Sequence, residues 1–382
     1  MSENKFSTPV RVLSDLISIP SVNPAFKARS ESDFGEKKVS EYLESLAKKA
    51  GLSVERQQVQ PGRDNLIVRY SPSRISPSKR ILLAPHMDTV SLDKEIQTKP
   101  FIKENRLHGR GACDTKGSIA AMLMALIEMS KMSDRPKSTE IIFAALVDEE
   151  NKQLGSRAAV DHIGKVDLAI IGEPTSCRGI TAHKGNFWHK ISISGRSAHG
   201  AKPDLGDNAI SKMAKFINLV QEEYLPRLKT KQHELLGSPT LNIGMISGGY
   251  QNNIVPNECS IEVDRRTLPG ESEESFMEEL NNIAHSLSIK LQWFDSKNVD
   301  CPPMESDPNE PHIKEFLGLT KDSRPQGVSY FCDAAIIQKS GSPCIVFGPG
   351  DISQAHTEDE WIDIDSLNEA YEIIMRYFSK LP

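Results

Sequence analysis

The chain predicts an α/β fold: a mostly parallel sheet flanked by helices, interrupted by an inserted ferredoxin-like domain. Three observations carry that expectation. Continuous apolar runs alternate with helical stretches up to about residue 172, the pattern of strands buried on both faces. Between about 186 and 294 the pattern becomes strand-helix-strand-strand-helix-strand, the split βαβ order. Several of the apolar runs also close on an acid or a histidine, and open α/β sheets bind ligands at the carboxyl ends of their strands.

Taken in order, apolar residues recur at helical spacing from Asp33 to Ala50 (Phe34, Val39, Tyr42, Leu43, Leu46), and Gly51 supplies the stop. Strands are expected at about 65–70, 80–85, 140–147 and 166–172, with an Ala-, Met- and Leu-rich helix at about 117–132. In the insert the expected order is strand Phe187–Ile193, helix Asn208–Gln221, strand Thr240–Ile246, strand Cys259–Arg265, helix Glu271–Leu287 and strand Lys290–Phe294. A last helix, Ser366–Leu381, packs back on the first domain. The expected domains are therefore 1–184 and 296–382 as one catalytic unit, with 185–295 inserted as a lid or dimerisation domain. One short biased loop, Ser71–Lys79, is rich in Ser and Pro.

Composition excludes other classes. With 382 residues, 38% hydrophobic, 26% charged and a net charge of −6, the chain has the profile of a globular protein with room for two domains. It has no basic stretch interleaved with aromatics, so no nucleic-acid partner is expected. Its first ten residues lack the apolar segment of a secretion signal, and no apolar run approaches membrane-spanning length. The six cysteines (113, 177, 259, 301, 332, 344) contain no Cys-x-x-Cys pair, which predicts buried free thiols and a reducing, cytoplasmic setting.

The motifs at the strand ends carry the chemistry. They are His86-Met-Asp88, Asp114 in the glycine-rich turn 109–117, Asp148-Glu149-Glu150, Glu173-Pro-Thr, and His356 in the acidic loop Ala355–Glu360. Each has a plain structural alternative. Asp114 reads as a helix N-cap, the acidic run at 148–150 as a solvated helix start, and His356 as a solvated loop residue. Adjacent carboxylates after a buried strand repel one another unless a cation compensates. One of the pair can then bind a metal while the other stays free as a general base. Together the motifs offer a histidine and an acid for each of two divalent metals, with Asp114 available as a bridge.

The motifs, their order and their placement resemble the di-zinc aminoacylase/carboxypeptidase family over nearly the whole chain. Segments 171–176, 182–185, 239–242 and 348–356 resemble the branch that deacylates N-acyl amino acids, with N-acetylornithine as the expected substrate. The resemblance implies two zinc ions, for which cobalt or manganese can substitute: one held by His86, Asp114 and Glu173, the other by Asp114, Glu150 and His356. It implies Glu149 as general base, Asp88 as the residue orienting His86, and a non-proline cis peptide at Asp114–Thr115. It further implies a homodimer in which His199, from Ser194–Gly200, stabilises the oxyanion in the partner's site, with Asn253 and Arg266 binding the substrate carboxylate. A surface histidine is the plain alternative for His199, and Arg265, on the opposite strand face, is the weaker arginine. The other seven histidines (108, 162, 183, 189, 233, 285, 312) match no ligand motif and read as structural. The loop Ser91–Phe101 departs from the family pattern, which leaves the acyl and side-chain preference open. A succinylated amino acid (succinyl-diaminopimelate) or a dipeptide with a free carboxylate is the alternative substrate. A non-catalytic binder of an amino-acid derivative is the alternative class, against which the intact Glu149 argues.

Overall fold

A computed structural model describes residues 8–72 and 77–382. Residues 1–7 of the expected leaderless N-terminus, and 73–76 of the Ser/Pro-rich loop, lie outside them. The chain divides into two compact units: 1–181 with 305–326 and 332–382, and 182–304 with 327–331. The expected insert, 185–295, lies within the second unit.

The first unit is built on a mixed sheet in the order Ser53–Gln60, Arg63–Tyr70, Thr139–Ala145, Lys79–Pro85, Leu168–Gly172, Cys344–Val346. Short strands follow at Ile180–His183, Met304–Glu305 and Gln326–Val328, and the unit boundaries fall inside them. Neighbours among the four strands from Thr139–Ala145 to Cys344–Val346 pair parallel. The first two strands run antiparallel at the margin. The central strands are almost wholly buried: Ile81 to Ala84, Ile141 to Ala145 and Leu168 to Ile171 are each at most 2% exposed. Such strands need a helix layer on either face. Helix Lys116–Lys131 covers one face with thirteen buried residues, and Ile364–Phe378 packs its apolar stripe against the same core.

Parallel register decides where the chemistry goes. Strands Thr139–Ala145, Lys79–Pro85 and Leu168–Gly172 are immediate neighbours, and Pro85 stands opposite Gly172. The residues just past their carboxyl ends (His86 and Asp88, Glu149 and Glu150, Glu173) must therefore emerge side by side. Cys344–Val346, the next parallel strand, leads into the loop that ends at His356. Gly348 permits that turn, since a Cβ there would stand 2.5 Å from the Glu173 carbonyl oxygen and closer still to Ser118 Oγ.

The second unit has the antiparallel order Thr240–Gly248, Glu258–Thr267, Gly185–Ser194, Leu291–Asp295. The strands number 2-3-1-4 within the unit, and the helices come where a ferredoxin-like fold requires them. Helices Ala209–Leu219 and Glu273–Ser286 contribute to the core on one face, with Phe187, Ile191, Ile193, Ile261, Val263, Phe216 and Phe276 buried there. The helix expected to end at Gln221 instead passes through a π-turn, Val220–Tyr224, into a further helical turn, Leu225–Thr230. Among the described residues no helix is long and apolar enough to cross a membrane.

Candidate active site

Asp114 is the centre of the first unit's polar cluster. Its carboxylate reaches two histidines by different oxygens: Oδ1 lies 3.0 Å from His86 Nε2, and Oδ2 lies 3.3 Å from His356 Nε2. His86 Nε2 also lies 3.9 Å from Glu173 Oε1, and His356 Nε2 lies 3.1 Å from Glu150 Oε2. His86, Glu149 and Glu173, and separately His86, Asp114 and Glu150, each present one ligand atom within 4.8 Å of the others. His86, Asp114, Glu149 and Glu173 are buried, whereas the His356 side chain is half exposed on a loop with its own φ at +64°. The Asp114–Thr115 peptide is cis.

The electrostatics of so many carboxylates are severe. Burial, then the neighbouring Glu173 charge, pushes the Glu149 carboxyl well above its usual range. Burial does the same to Glu173, with the Asp114 charge adding to it against the opposing pull of His86. Burial and the Asp114 charge raise Glu150 to about 7. Burial works in the same direction on Asp114, but hydrogen bonds with His356 and His86 outweigh it and hold that carboxyl below the ordinary range. His356, bonded to Asp114 and Glu150, is raised to about 10. These buried acids fit a cation. The donor set is imidazole and carboxylate oxygen without a thiolate, which suits zinc, manganese or cobalt.

Behind the cluster stands a set of supports. The Asp88 carboxylate is fully buried and accepts the backbone N–H of Glu149 (3.1 Å), that of Glu150 (3.1 Å), and Asn23 Nδ2 (2.7 Å). His86 Nδ1 donates to the Asp88 main-chain oxygen at 3.0 Å, and the carboxylate lies farther off at 3.5 Å. Asp88 thus positions both the histidine and the paired glutamates. Asn23 and Arg63 both donate to Asp148 Oδ1 at 2.9 Å, and Arg63 continues to Glu36 at 2.5 Å. Glu360, 2% exposed, accepts the N–H groups of Gly111, Cys113 and Asp114 at 2.8–3.0 Å, and Arg110 at 2.8 Å. It fixes the turn that presents Asp114. Sequence reasoning missed Asn23, Arg63 and Glu360 in these roles. Only Glu360 lay near a flagged motif, and long-range hydrogen bonds leave no local pattern to read.

In the second unit the structure pairs the segments carrying His199 and Asn253. Gly200 N–H donates to the Asn253 carbonyl at 2.7 Å, and Val255 N–H to the Ala198 carbonyl at 2.9 Å. A Cβ on Gly200 would stand 2.9–3.0 Å from the Asn253 backbone, so glycine permits the approach. The His199 side chain is exposed, its Nδ1 accepting the Ala201 N–H. Arg266 is partly exposed on the sheet and donates to Asp264, whereas Arg265 is buried against Tyr224 and Glu271. Of the remaining histidines, His189 bonds Glu273 (2.8 Å), His162 bonds Glu55 (2.7 Å), and His108 stacks on Phe101. None of the six cysteines is in a disulfide, and all six are buried.

Fold and site together define a metal-dependent hydrolase. Residues 82–380 match the model of peptidase family M20/M25/M40, and the chain belongs to that family. It is 31% identical to an acetylornithine deacetylase of Vibrio atlanticus, with 95% of each chain covered. To the enzyme of that name from Proteus mirabilis it is also 31% identical, covering 97% of this chain and 96% of the relative. Among solved structures it is similar to a tripeptidase from Staphylococcus aureus (TM-score 0.78, 22% identity, 97% of both chains). It is likewise similar to an M20 metallo-carboxypeptidase from Sulfolobus solfataricus (TM-score 0.75, 17% identity, 98% and 99% covered).

Proposed function

We propose that this chain is a two-metal amidohydrolase that removes the acyl group from N-acyl-L-amino acids, with N-acetylornithine as its substrate. The observation that carries the reading is the split reach of Asp114, one oxygen toward His86 and the other toward His356. A carboxylate so placed suits a bridge between two cations, His86 and Glu173 completing one ligand set, Glu150 and His356 the other. The names of the relatives support the deacylase branch. Two bound divalent ions would polarise the scissile carbonyl and make water acidic enough to attack near neutral pH.

The chain's own residues supply the rest. Glu149 is buried beside the ligands, its backbone N–H held by Asp88. Its carboxylate takes the proton of the attacking water and returns it to the leaving amine nitrogen. Asp88 keeps the His86 ring in place through its main-chain oxygen. Arg266 meets the substrate carboxylate with Asn253, a guanidinium fork suiting that group. The protein acts as a homodimer in which His199 of the partner subunit donates to the developing oxyanion.

Complementation tests the reading. Glu149→Ala should keep its metal and lose roughly 10²–10⁴-fold in turnover of N-acetyl amino acids. His199→Ala should also be impaired, and mixing the two variants under conditions of subunit exchange should restore part of the activity. Near-normal turnover by metal-loaded Glu149→Ala would refute its role. Confirmed exchange without recovery would refute the action of His199 across subunits. Hydrolysis of dipeptides but not of acyl amino acids would move the enzyme to the peptidase branch.

A further inference from the structure

The loop Ser91–Phe101, where the chain departs from the family pattern, belongs to the first unit and supplies none of the candidate ligands. Buried groups nonetheless order it. Leu92 is 1% exposed, and its N–H donates to the Lys27 carbonyl at 3.2 Å. Gln97 is 4% exposed on the short 3₁₀ turn Glu95–Thr98. Its main-chain carbonyl accepts the Arg110 N–H at 2.8 Å, which fastens it to the turn that leads to Asp114. A buried glutamine needs partners at both ends of its amide.

That amide joins two loops. Its Oε1 accepts the N–H groups of Asp93 and Lys94 at 3.1 and 2.9 Å. Two backbone donors on one atom fix which end is oxygen, so Nε2 points the other way and donates to the Glu358 carbonyl at 3.3 Å. Lys94 adds an ion pair with the Glu358 side chain, but both groups are more than half exposed and such pairs contribute little. His356 stands two residues before that carbonyl. Its φ of +64° is left-handed, a conformation that a residue with a Cβ keeps only where its flanks hold it. On one side the turn Ile352–Gln354 is capped by Asp351, whose carboxylate accepts the Ser353 N–H at 2.9 Å. On the other, Thr357 Oγ1 ties the loop to itself at the Gln354 carbonyl (2.8 Å), and Gln97 ties it to the body of the unit.

We propose that Gln97 is a positioning residue for His356: a brace that holds this histidine over Asp114 and Glu150 and so sets how firmly one of the two ions is kept. The proposal rests on the two-metal reading and goes beyond it, because it separates the two sites. The ion assigned to His86 and Glu173 does not depend on the Gln97 side chain. The ion assigned to Glu150 and His356 does, because its histidine is half exposed and takes its place from the loop that carries it.

Stepwise binding of cobalt(II) to the metal-free protein, followed by calorimetry and by the visible spectrum, tests it. His356→Ala first identifies the step that belongs to the second site. Gln97→Met keeps the side chain's length and loses its amide bonds. It should weaken that step roughly tenfold, the lower end of the range for partners that orient a metal ligand, and leave the other step and its spectrum unchanged. Gln97→Glu keeps an acceptor for Asp93 and Lys94 but removes the donor to Glu358, and should give the same selective loss. Lys94→Ala should change neither step; an effect as large as that of Gln97→Met would move the role to the ion pair and overturn the assignment. Equal weakening of both steps, or no change in either Gln97 variant, overturns it as well. Hydrogen exchange on the metal-free proteins decides the brace without metal. Amides 355–359 should exchange faster in Gln97→Met while those of helix Lys116–Lys131 keep wild-type rates, and unchanged exchange at 355–359 refutes the brace. A wild-type protein that binds a single ion would refute the two-metal reading instead, and the exchange result then decides the brace alone.

Discussion

Glu360 shows how much of the site depends on a residue that would touch neither metal nor substrate. It sits in the buried interior with its two oxygens shared among three backbone N–H groups and Arg110. Removing it strands a buried guanidinium and the donors of the turn before Asp114. Glu360→Ala should therefore cost about 3–5 kcal/mol of stability, the usual penalty for breaking a buried pair. It should also weaken metal binding, because Asp114 is held by the same turn. Denaturant unfolding of the metal-free and metal-loaded forms checks both. A loss below about 1 kcal/mol with unchanged metal affinity would contradict this role. The ten residues expected to act were singled out because each stands in a short motif, the acids and histidines of the first unit with a chemical reason for their residue type and His199, Asn253 and Arg266 through the family resemblance. Asn23, Arg63 and Glu360 were not, because their function is to reach across 65 to 250 positions of chain.

At the scale of elements, the parallel strands were legible from their apolar runs, and the site followed from their adjacency. Strand Ser53–Gln60 was not, because it is a half-exposed margin strand whose run of polar residues (Arg56, Gln57, Gln58) carries no hydrophobic signal. The π-turn at Val220–Tyr224 also has no periodic signature and was read as continuous helix. Strand Ile180–His183 offers a test of its own. His183 is fully buried, its Nε2 has no hydrogen-bond partner, and burial lowers it from 6.5 to about 4 despite a bond from Nδ1 to the Lys184 carbonyl. Its folded-state value is below its unfolded one, so the unfolded chain binds the extra proton between pH 6.5 and 4. The histidine's contribution to stability is intact above pH 6.5 and falls as pH drops through that window, by ~3 kcal/mol at the acid end. His183→Gln should show a shallower decline of stability from pH 6.5 to 4 than the wild type. Parallel curves would refute the assignment.

For the whole molecule, the ordering of the elements gave the class of fold early, since an α/β pattern interrupted by βαββαβ has few other architectures to adopt. What sequence could not give is the way the second unit takes back residues 327–331 from the later part of the chain. A five-residue excursion leaves no trace in composition. The central claim is chemical: the buried acids of the first unit exist to hold two cations about a shared Asp114. Metal content after equilibration with zinc and removal of the excess tests it most directly. The wild type should hold about two ions per chain. Glu173→Ala and His356→Ala should each hold about one, and Asp114→Ala should hold less than either. A wild-type protein that retains at most one ion, or an Asp114→Ala variant that retains both, would contradict the account.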